Sequence, residues 1–333
     1  MNYSKKITKR IMIKSLRIVF MGTPEFAVAS LNQIHKSRHQ VVTVVTVPDK
    51  PAGRGQKIQE SAVKIYAVEN NLPVLQPEKL KNPEFIQQLK NLEADVFVVV
   101  AFRMLPREIW SLPQFGTFNL HASLLPQYRG AAPINWAIIN GEKETGATTF
   151  FIDEKIDTGK IILQEKMPIG ENETAGELHD RLMISGAELV VETLDKIASG
   201  KIETVSQDKF QAEELAMAPK IFRQDLKIDW TKGAGIIHNH IRGLSPYPGA
   251  FTEILDDENN RFQLKIFKAS IADETEMANL KPGQTRVIGQ SKLLVGTADR
   301  PISLEIVQLE GKKRLQIADF LLGFRKIEQA KME

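Results

Sequence analysis

Asn119 and His121 stand two residues apart in the stretch Asn119-Leu120-His121-Ala122-Ser123-Leu124-Leu125-Pro126, just after an apolar run. On extended chain that spacing sends both side chains the same way. A carboxamide donor beside an imidazole suits a carbonyl oxygen that gains negative charge while a proton moves. Spacing alone fits a polar strand end with a capping Asn equally well. A second polar cluster, Asp153-Glu154-Lys155-Ile156-Asp157-Thr158-Gly159, follows another strand-like stretch. A carboxylate there would orient an imidazole and stabilise its cation. Composition does not rank Asp153 against Asp157, and either could be a solvated turn residue. A third segment, residues 48–57, joins glycines with unusual backbone freedom to Lys50, Arg54 and Lys57, cations suited to phosphates. An ordinary surface loop has the same composition.

Other chemistries are excluded or weak. The chain has no cysteine, which removes disulfides, thiolate metal sites and a cysteine nucleophile. Only Gly22 follows the first strand, so the dinucleotide fingerprint is missing, and there is no Walker motif. Ser123 lacks the Gly-x-Ser-x-Gly elbow. His35 and His39 are spaced like metal ligands but lack the accompanying carboxylate, and a surface pair is expected. His238 and His240 fall near a helix end and read as structural or nucleic-acid facing. With 42% hydrophobic and 26% charged residues in 333, the composition is that of an ordinary globular chain with a sizeable core. No apolar run reaches the roughly 18 to 20 residues of a membrane span. A net charge of +3 permits a polyanionic partner without requiring one.

These residues need elements to carry them. Residues 16–20, 41–47, 74–75, 95–101, 115–120 and 145–152 read as strands. Residues 26–35, 61–70, 84–92, 132–140 and 174–199 read as helices between or after them. The alternation implies an α/β fold with a parallel sheet and right-handed crossovers. Asn119 and His121 then lie at a strand's C-terminal end, where open α/β sheets bind ligands. Beyond residue 200 the texture changes. A linker is expected over 204–222, then a helix over 234–242 with Thr231 as candidate N-cap. Short strands at 250–255, 262–269, 285–288, 292–297, 302–309 and 314–317 suggest a small barrel. The expected division is a basic arm over 1–15, a first domain over 16–203, the linker, and a second domain over 223–333. Residues 206–333 hold 19 Lys plus Arg against 18 Asp plus Glu, so a polyanion-binding patch there needs spatial segregation of charge.

Read whole, residues 119–134 with Ile156-Asp157-Thr158-Gly159 downstream closely resemble the folate-dependent formyltransferases. Within that family, Met21-Gly22-Thr23-Pro24-Glu25-Phe26-Ala27 and the loop 48–57 are most similar to the members that formylate initiator methionyl-tRNA. The stretch from Ile228-Asp229-Trp230 through Ile241-Arg242-Gly243-Leu244-Ser245-Pro246-Tyr247-Pro248-Gly249-Ala250 resembles those members' second domain. The resemblance covers nearly everything from Leu16 onward. It implies an N-terminal Rossmann-like, mostly parallel sheet with helices on both faces, and a C-terminal OB-like β-barrel. It places the family's catalytic Asn, His and Asp on Asn119, His121 and Asp157, and so chooses Asp157 over Asp153. It implies 10-formyltetrahydrofolate as cosubstrate, held by Ala101, Phe102, Arg103, Met104 and Leu105 with Ser123, Leu124, Leu125 and Pro126. Initiator methionyl-tRNA would meet Lys50, Arg54 and Lys57, and also Lys312, Lys313 and Arg314. No metal is implied, and a cytoplasmic monomer without membrane attachment is expected. One departure stands out: the family has Ala-Tyr-Gly where this chain has Ala101-Phe102-Arg103, in a loop one residue shorter. Another folate-dependent formyltransferase, a formyl-folate hydrolase, or a non-enzymatic tRNA-binding protein are the rival readings.

Overall fold

The computed structural model describes residues 15–52, 57–208, 215–255, 260–273, 279–324, 327 and 330–333. The basic arm expected over 1–15 falls almost wholly outside them. The chain divides into two compact units that are not consecutive in sequence. The first comprises 1–126, 146–165 and 182–214, and the second 127–145, 166–181 and 215–333. No helix is long and apolar enough to cross a membrane among the described residues.

The chain begins β1 (Arg17–Gly22), α1 (Glu25–Lys36), β2 (Gln40–Val45), β3 (Lys50–Ala52), β4 (Lys57–Gln59), α2 (Ala62–Glu69), β5 (Val74–Leu75), α3 (Pro83–Asn91), β6 (Val96–Val100), α4 (Arg107–Trp110) and β7 (Thr117–His121). There follow β8 (Arg129–Gly130), α5 (Pro133–Ile139), β9 (Glu144–Phe151), β10 (Ile161–Pro168) and α6 (Ala175–Ala198). The main sheet has the order β10-β9-β7-β6-β1-β2-β5. Strands β7, β6, β1, β2 and β5 are parallel, and β9 runs antiparallel to β7. The chain winds outward from β1 in both directions, so the order reverses between β1 and β6. That switch point is where a doubly wound sheet opens a crevice at its strand ends. Alternate strand residues feed two cores. Val19, Met21, Val45, Phe97 and Val99 pack with Phe85, Leu89 and Ile109 of α3 and α4. Leu120, pointing the other way, meets Gly186 of α6. Local signals set the helix starts: Ser61 accepts from Lys64 N–H, and Asn82 accepts from Glu84 N–H with Pro83 in the first turn.

Three expectations are corrected. The segment 48–59, read as loop, forms the hairpin β3–β4 at its ends. Strand β10 went unread, because its exposed residues Gln164, Glu165 and Lys166 break the apolar pattern. His39 is not a surface residue: its ring accepts from Leu16 N–H and bonds Asp195 at 2.9 Å, with the side chain fully buried.

The second unit continues with β11 (Met217–Ala218), α7 (Ala234–Gly243), β12 (Ala250–Leu255), β13 (Arg261–Ile271), β14 (Thr285–Ile288), β15 (Lys292–Val295), β16 (Ile302–Leu309), β17 (Leu315–Gln316), α8 (Ile317–Gly323) and β18 (Lys331–Met332). Its antiparallel sheet has the order β14-β15-β16-β13-β12-β18. A bridge from Gln284 to Lys331 joins the two ends, giving a nearly closed barrel. Ile254, Leu264, Ile266 and Leu304 fill it, with Ile237 and Ile241 from α7 and Phe320 from α8. Residues 314–317 were expected to be strand throughout, but α8 begins at Ile317, whose side chain enters the core. Thr231 does not cap α7. Asp299 accepts from Ala234 N–H at 2.7 Å instead, and Thr231 bonds Asp229. The earlier segments of this unit are bound in tightly. Ala131 and Ala132 N–H donate to Ala218 O, Asn135 to Gly243 O, and Arg242 to Gly170 O and Glu173 O.

Candidate active site

Registers decide what meets at the sheet edge. Asn119 of β7 pairs with Val99 of β6, and Leu120 with Val100, so the loop after β6 emerges beside the end of β7. Asn119 and His121 share the face of Val99, as their spacing requires. Asn119 is half-buried, and its carboxamide has no hydrogen bond among the described residues. His121 is 6% exposed, edge-on to Phe150 at 6.5 Å between centroids.

Strand β9 pairs Phe151 with Phe118 and Thr148 with His121. The loop after Phe151 therefore leaves near the start of β7 and must double back to reach its end. It does so through Asp157, whose φ of +55° lies in the left-handed region. Asp157 Oδ2 stands 3.7 Å from His121 Nδ1, with both side chains largely buried. That is ion-pair distance, slightly long for a hydrogen bond, a gap that catalytic pairs close when substrate binds. Asp153 is exposed and accepts from Lys155 N–H and Thr158 Oγ1, an ordinary turn residue. Gly159 ends the detour: a Cβ there would lie 1.6 Å from the Phe151 carbonyl oxygen.

Three residues that sequence reasoning passed over hold this arrangement. Gln207, inside the stretch read as linker, is 3% exposed and donates to the carbonyls of Asp157 and Gly159. Thr148 donates to Ser123 O at 2.6 Å and accepts from Leu125 N–H. Gln164 donates to Leu125 O at 2.8 Å and to Thr148 Oγ1. The segment 123–126 is thereby latched to β9 and β10, over a small core of Leu125, Phe150 and Ile161. The only sequence signal for these three is a polar residue in a strand or beside one, which is too common to be diagnostic.

The loop 101–105 turns at Ala101, whose φ is +46°. Met104 is 70% exposed, Phe102 is half-buried and Leu105 is buried. This apolar surface beside two polar side chains has the chemistry to hold a planar heterocycle. Arg103 donates to the carbonyls of Pro77 and Glu78 and lies over the Phe102 ring at 5.2 Å. Its Nε–H is buried without an acceptor, and burial lowers its pKa from the ordinary arginine value. A separate cavity of about 430 Å³, lined by Gln76, Pro77, Glu78, Lys79 and Phe85 among others, contains none of Asn119, His121 and Asp157.

Of the residues assigned to tRNA, Lys50 is exposed at the start of β3. Lys57 falls in β4, paired with Ala52, and Arg54 lies outside the described residues. Asp49, beside Lys50, is tied to Lys64 and Gln76, and the lysine holds its carboxyl below the usual range. Lys312, Lys313 and Arg314 are exposed together between β16 and β17.

The formyl transferase family model matches residues 16–194, and the model of the formyl transferase C-terminal domain matches residues 220–325. The methionyl-tRNA formyltransferase of Azobacteroides pseudotrichonymphae is 54% identical over 312 residues, covering 92% of this chain and 95% of that protein. That of Flavobacterium johnsoniae is 50% identical over 320 residues, covering 96% and 100%. Among solved structures, HypX from Aquifex aeolicus in complex with tetrahydrofolic acid aligns with a TM-score of 0.64 at 18% identity, over 94% of this chain and 48% of that one. The sugar 3N-formyl transferase WlaRD aligns with a TM-score of 0.62 at 24% identity, over 90% and 100%. These two likenesses establish the shared fold.

Proposed function

Since this chain belongs to the methionyl-tRNA formyltransferase family, we propose that Asn119, His121 and Asp157 transfer the formyl group of 10-formyltetrahydrofolate to the α-amine of methionine on initiator tRNA. The observation that carries the reading is the convergence of three polar side chains at one strand end. Asn119 and His121 lie two apart on β7, and Asp157 is returned to 3.7 Å from His121 by its own loop.

The bound folate supplies the electrophilic formyl carbon. An ordinary α-amine has a pKa of about 7.7 to 8.0, and the adjoining ester lowers it, so much of the nucleophile is neutral near pH 7. The amine nitrogen bonds to the formyl carbon, and the bond from that carbon to folate N10 breaks. Asn119 donates to the formyl oxygen as negative charge gathers on it. His121 donates to the same oxygen or relieves the attacking amine of its proton, while Asp157 orients the imidazole and balances its charge. The leaving N10 takes up a proton, giving tetrahydrofolate. The loop 101–105 and the segment 123–126 hold the folate. The barrel unit grips the tRNA through Lys312, Lys313 and Arg314, and the sequence segment 48–57, with Lys50, Arg54 and Lys57, meets its acceptor end. The protein acts as a cytoplasmic monomer in this reading.

The test is formyl transfer from 10-formyltetrahydrofolate to charged initiator methionyl-tRNA, with charged elongator methionyl-tRNA alongside. Rapid formylation of the initiator alone is expected. Turnover of the folate with water or a sugar amine instead would assign another acceptor, and no turnover at all would leave a tRNA-binding protein.

A further inference from the structure

Tyr247 is 82% exposed, more than any other large apolar side chain among the described residues, and its hydroxyl has no hydrogen-bond partner there. A single exposed aromatic is ordinary. What sets this one apart is how firmly its backbone is held. Gly176 N–H donates to Ser245 O, and Gly249 N–H donates to Leu244 O. Lys265 Nζ donates to Pro248 O at 3.0 Å, and Arg314 Nη2 to Pro246 O at 3.4 Å. Gly249 has φ +87°, and a Cβ there would lie 2.9 Å from the Phe267 ring, so the turn is pressed onto β13. The guanidinium of Arg314 lies 3.5 Å from the centroid of that same ring. All of the groups that fix the turn belong to the barrel unit, as does Tyr247 itself. The result is a flat ring held out into solvent, with two cations at its base and the exposed Lys312 and Lys313 preceding Arg314 in the chain.

We infer that Tyr247 is a stacking platform for an unpaired base of the nucleic-acid substrate, with Lys265, Arg314 and the neighbouring lysines facing that base's phosphates. Base-on-aromatic stacking beside a cationic track is the way proteins hold single-stranded nucleotides without reading sequence. Fixing the backbone in advance removes part of the entropy lost on binding. The charge around the ring selects a polyanion over a neutral protein surface. The inference rests on the tRNA reading above and adds the place and manner of contact.

The experiment uses full-length protein, charged initiator methionyl-tRNA and saturating 10-formyltetrahydrofolate. Tyr247→Ala and Tyr247→Leu are expected to raise KM for the tRNA by roughly 5- to 100-fold, the range that loss of one stacked base gives. Tyr247→Trp is expected to restore it, because stacking needs a ring and not this residue. The slope of log KM against log salt should be kept in Tyr247→Ala and reduced by roughly 0.7 to 0.9 in Lys313→Ala, one counterion's share. Wild-type KM in Tyr247→Ala, or full rescue by Leu, overturns the platform while leaving the transfer reaction standing. A raised KM for the folate in Tyr247→Ala also overturns it, since the ring would then serve the fold or the folate site. Concentration-dependent self-association of wild type that the Ala variant loses would make the ring a protein contact and overturn it too. A wild-type protein that formylates no charged tRNA ends both proposals together.

Discussion

Asn119→Ala is expected to lower kcat by roughly 100- to 1,000-fold, the usual cost of one oxyanion donor, with little change in KM for the folate. Single-turnover formylation measures this directly, and near-normal turnover would remove Asn119 from the chemistry. Arg103 makes a different prediction. Its guanidinium ties the loop 101–105 to the segment of Pro77 and Glu78. Removing charge-assisted bonds of this kind typically costs enough to weaken binding roughly tenfold. Arg103→Ala should therefore raise KM for 10-formyltetrahydrofolate more than it lowers kcat. At this scale the sequence was legible where spacing acts through a period. Asn119 and His121 had to share a side of any strand, and they do. It was silent on Asp157 against Asp153, because a carboxylate's usefulness there depends on a loop reversal that no residue pattern encodes. Only the family resemblance separated them. Gln207 was illegible for the same reason: its partners are carbonyls fifty residues back along the chain, whose positions the fold alone sets.

The antiparallel run of β9 against β7 decides how the Asp157 loop reaches His121. Had the sheet been wholly parallel, the loop after β9 would leave at the edge of His121 and no detour would be needed. The antiparallel pairing makes Gly159 indispensable, since its missing side chain lets the returning chain pass the Phe151 carbonyl. Gly159→Ala is expected to abolish transfer, whether it disrupts the Asp157 loop alone or the edge of the sheet as well. Circular dichroism with folate binding tells the two apart, and an active Gly159→Ala enzyme would contradict the geometry. The long elements were readable from apolar periodicity to within one or two residues, as with α6, expected over 174–199 and found over Ala175–Ala198. Strand β10 was not, because an edge strand with polar residues lacks the alternation that marks a half-buried one.

Over the whole molecule, three histidines share one electrostatic condition. His39, His238 and His240 all have pKa values below the ordinary 6.5, and burial is the leading cause in each. As pH falls through 6.5 the unfolded chain takes up protons before the folded one does, so stability is fully present above that value and declines below it. Carboxylates held below their usual range, such as Asp299 and Glu177, add to the decline only at lower pH. Thermal unfolding is expected at a lower temperature near pH ~5.5 than near pH ~7.5. An unchanged midpoint across that window would mean the burial of these rings is relieved in solution. The sequence changes texture near residue 200, whereas the two compact units interleave, and no residue pattern marks that interleaving. Short segments such as 127–145 look like any helix and turn until their partners in 215–333 are known.

That interleaving bears on how the protein is made. Segment 127–145 leaves the ribosome well ahead of the residues from 215 onward to which it binds. At a synthesis rate of about 5–20 residues per second, Ala137 and Ile138, buried in the finished protein, wait several seconds for cover. The first unit waits too, since Asp157 lacks its support until Gln207 has emerged. The first unit, whose segments all precede residue 215, is therefore complete in the growing chain before the second, whose segment 127–145 stays without its partners until the residues from 215 onward are made.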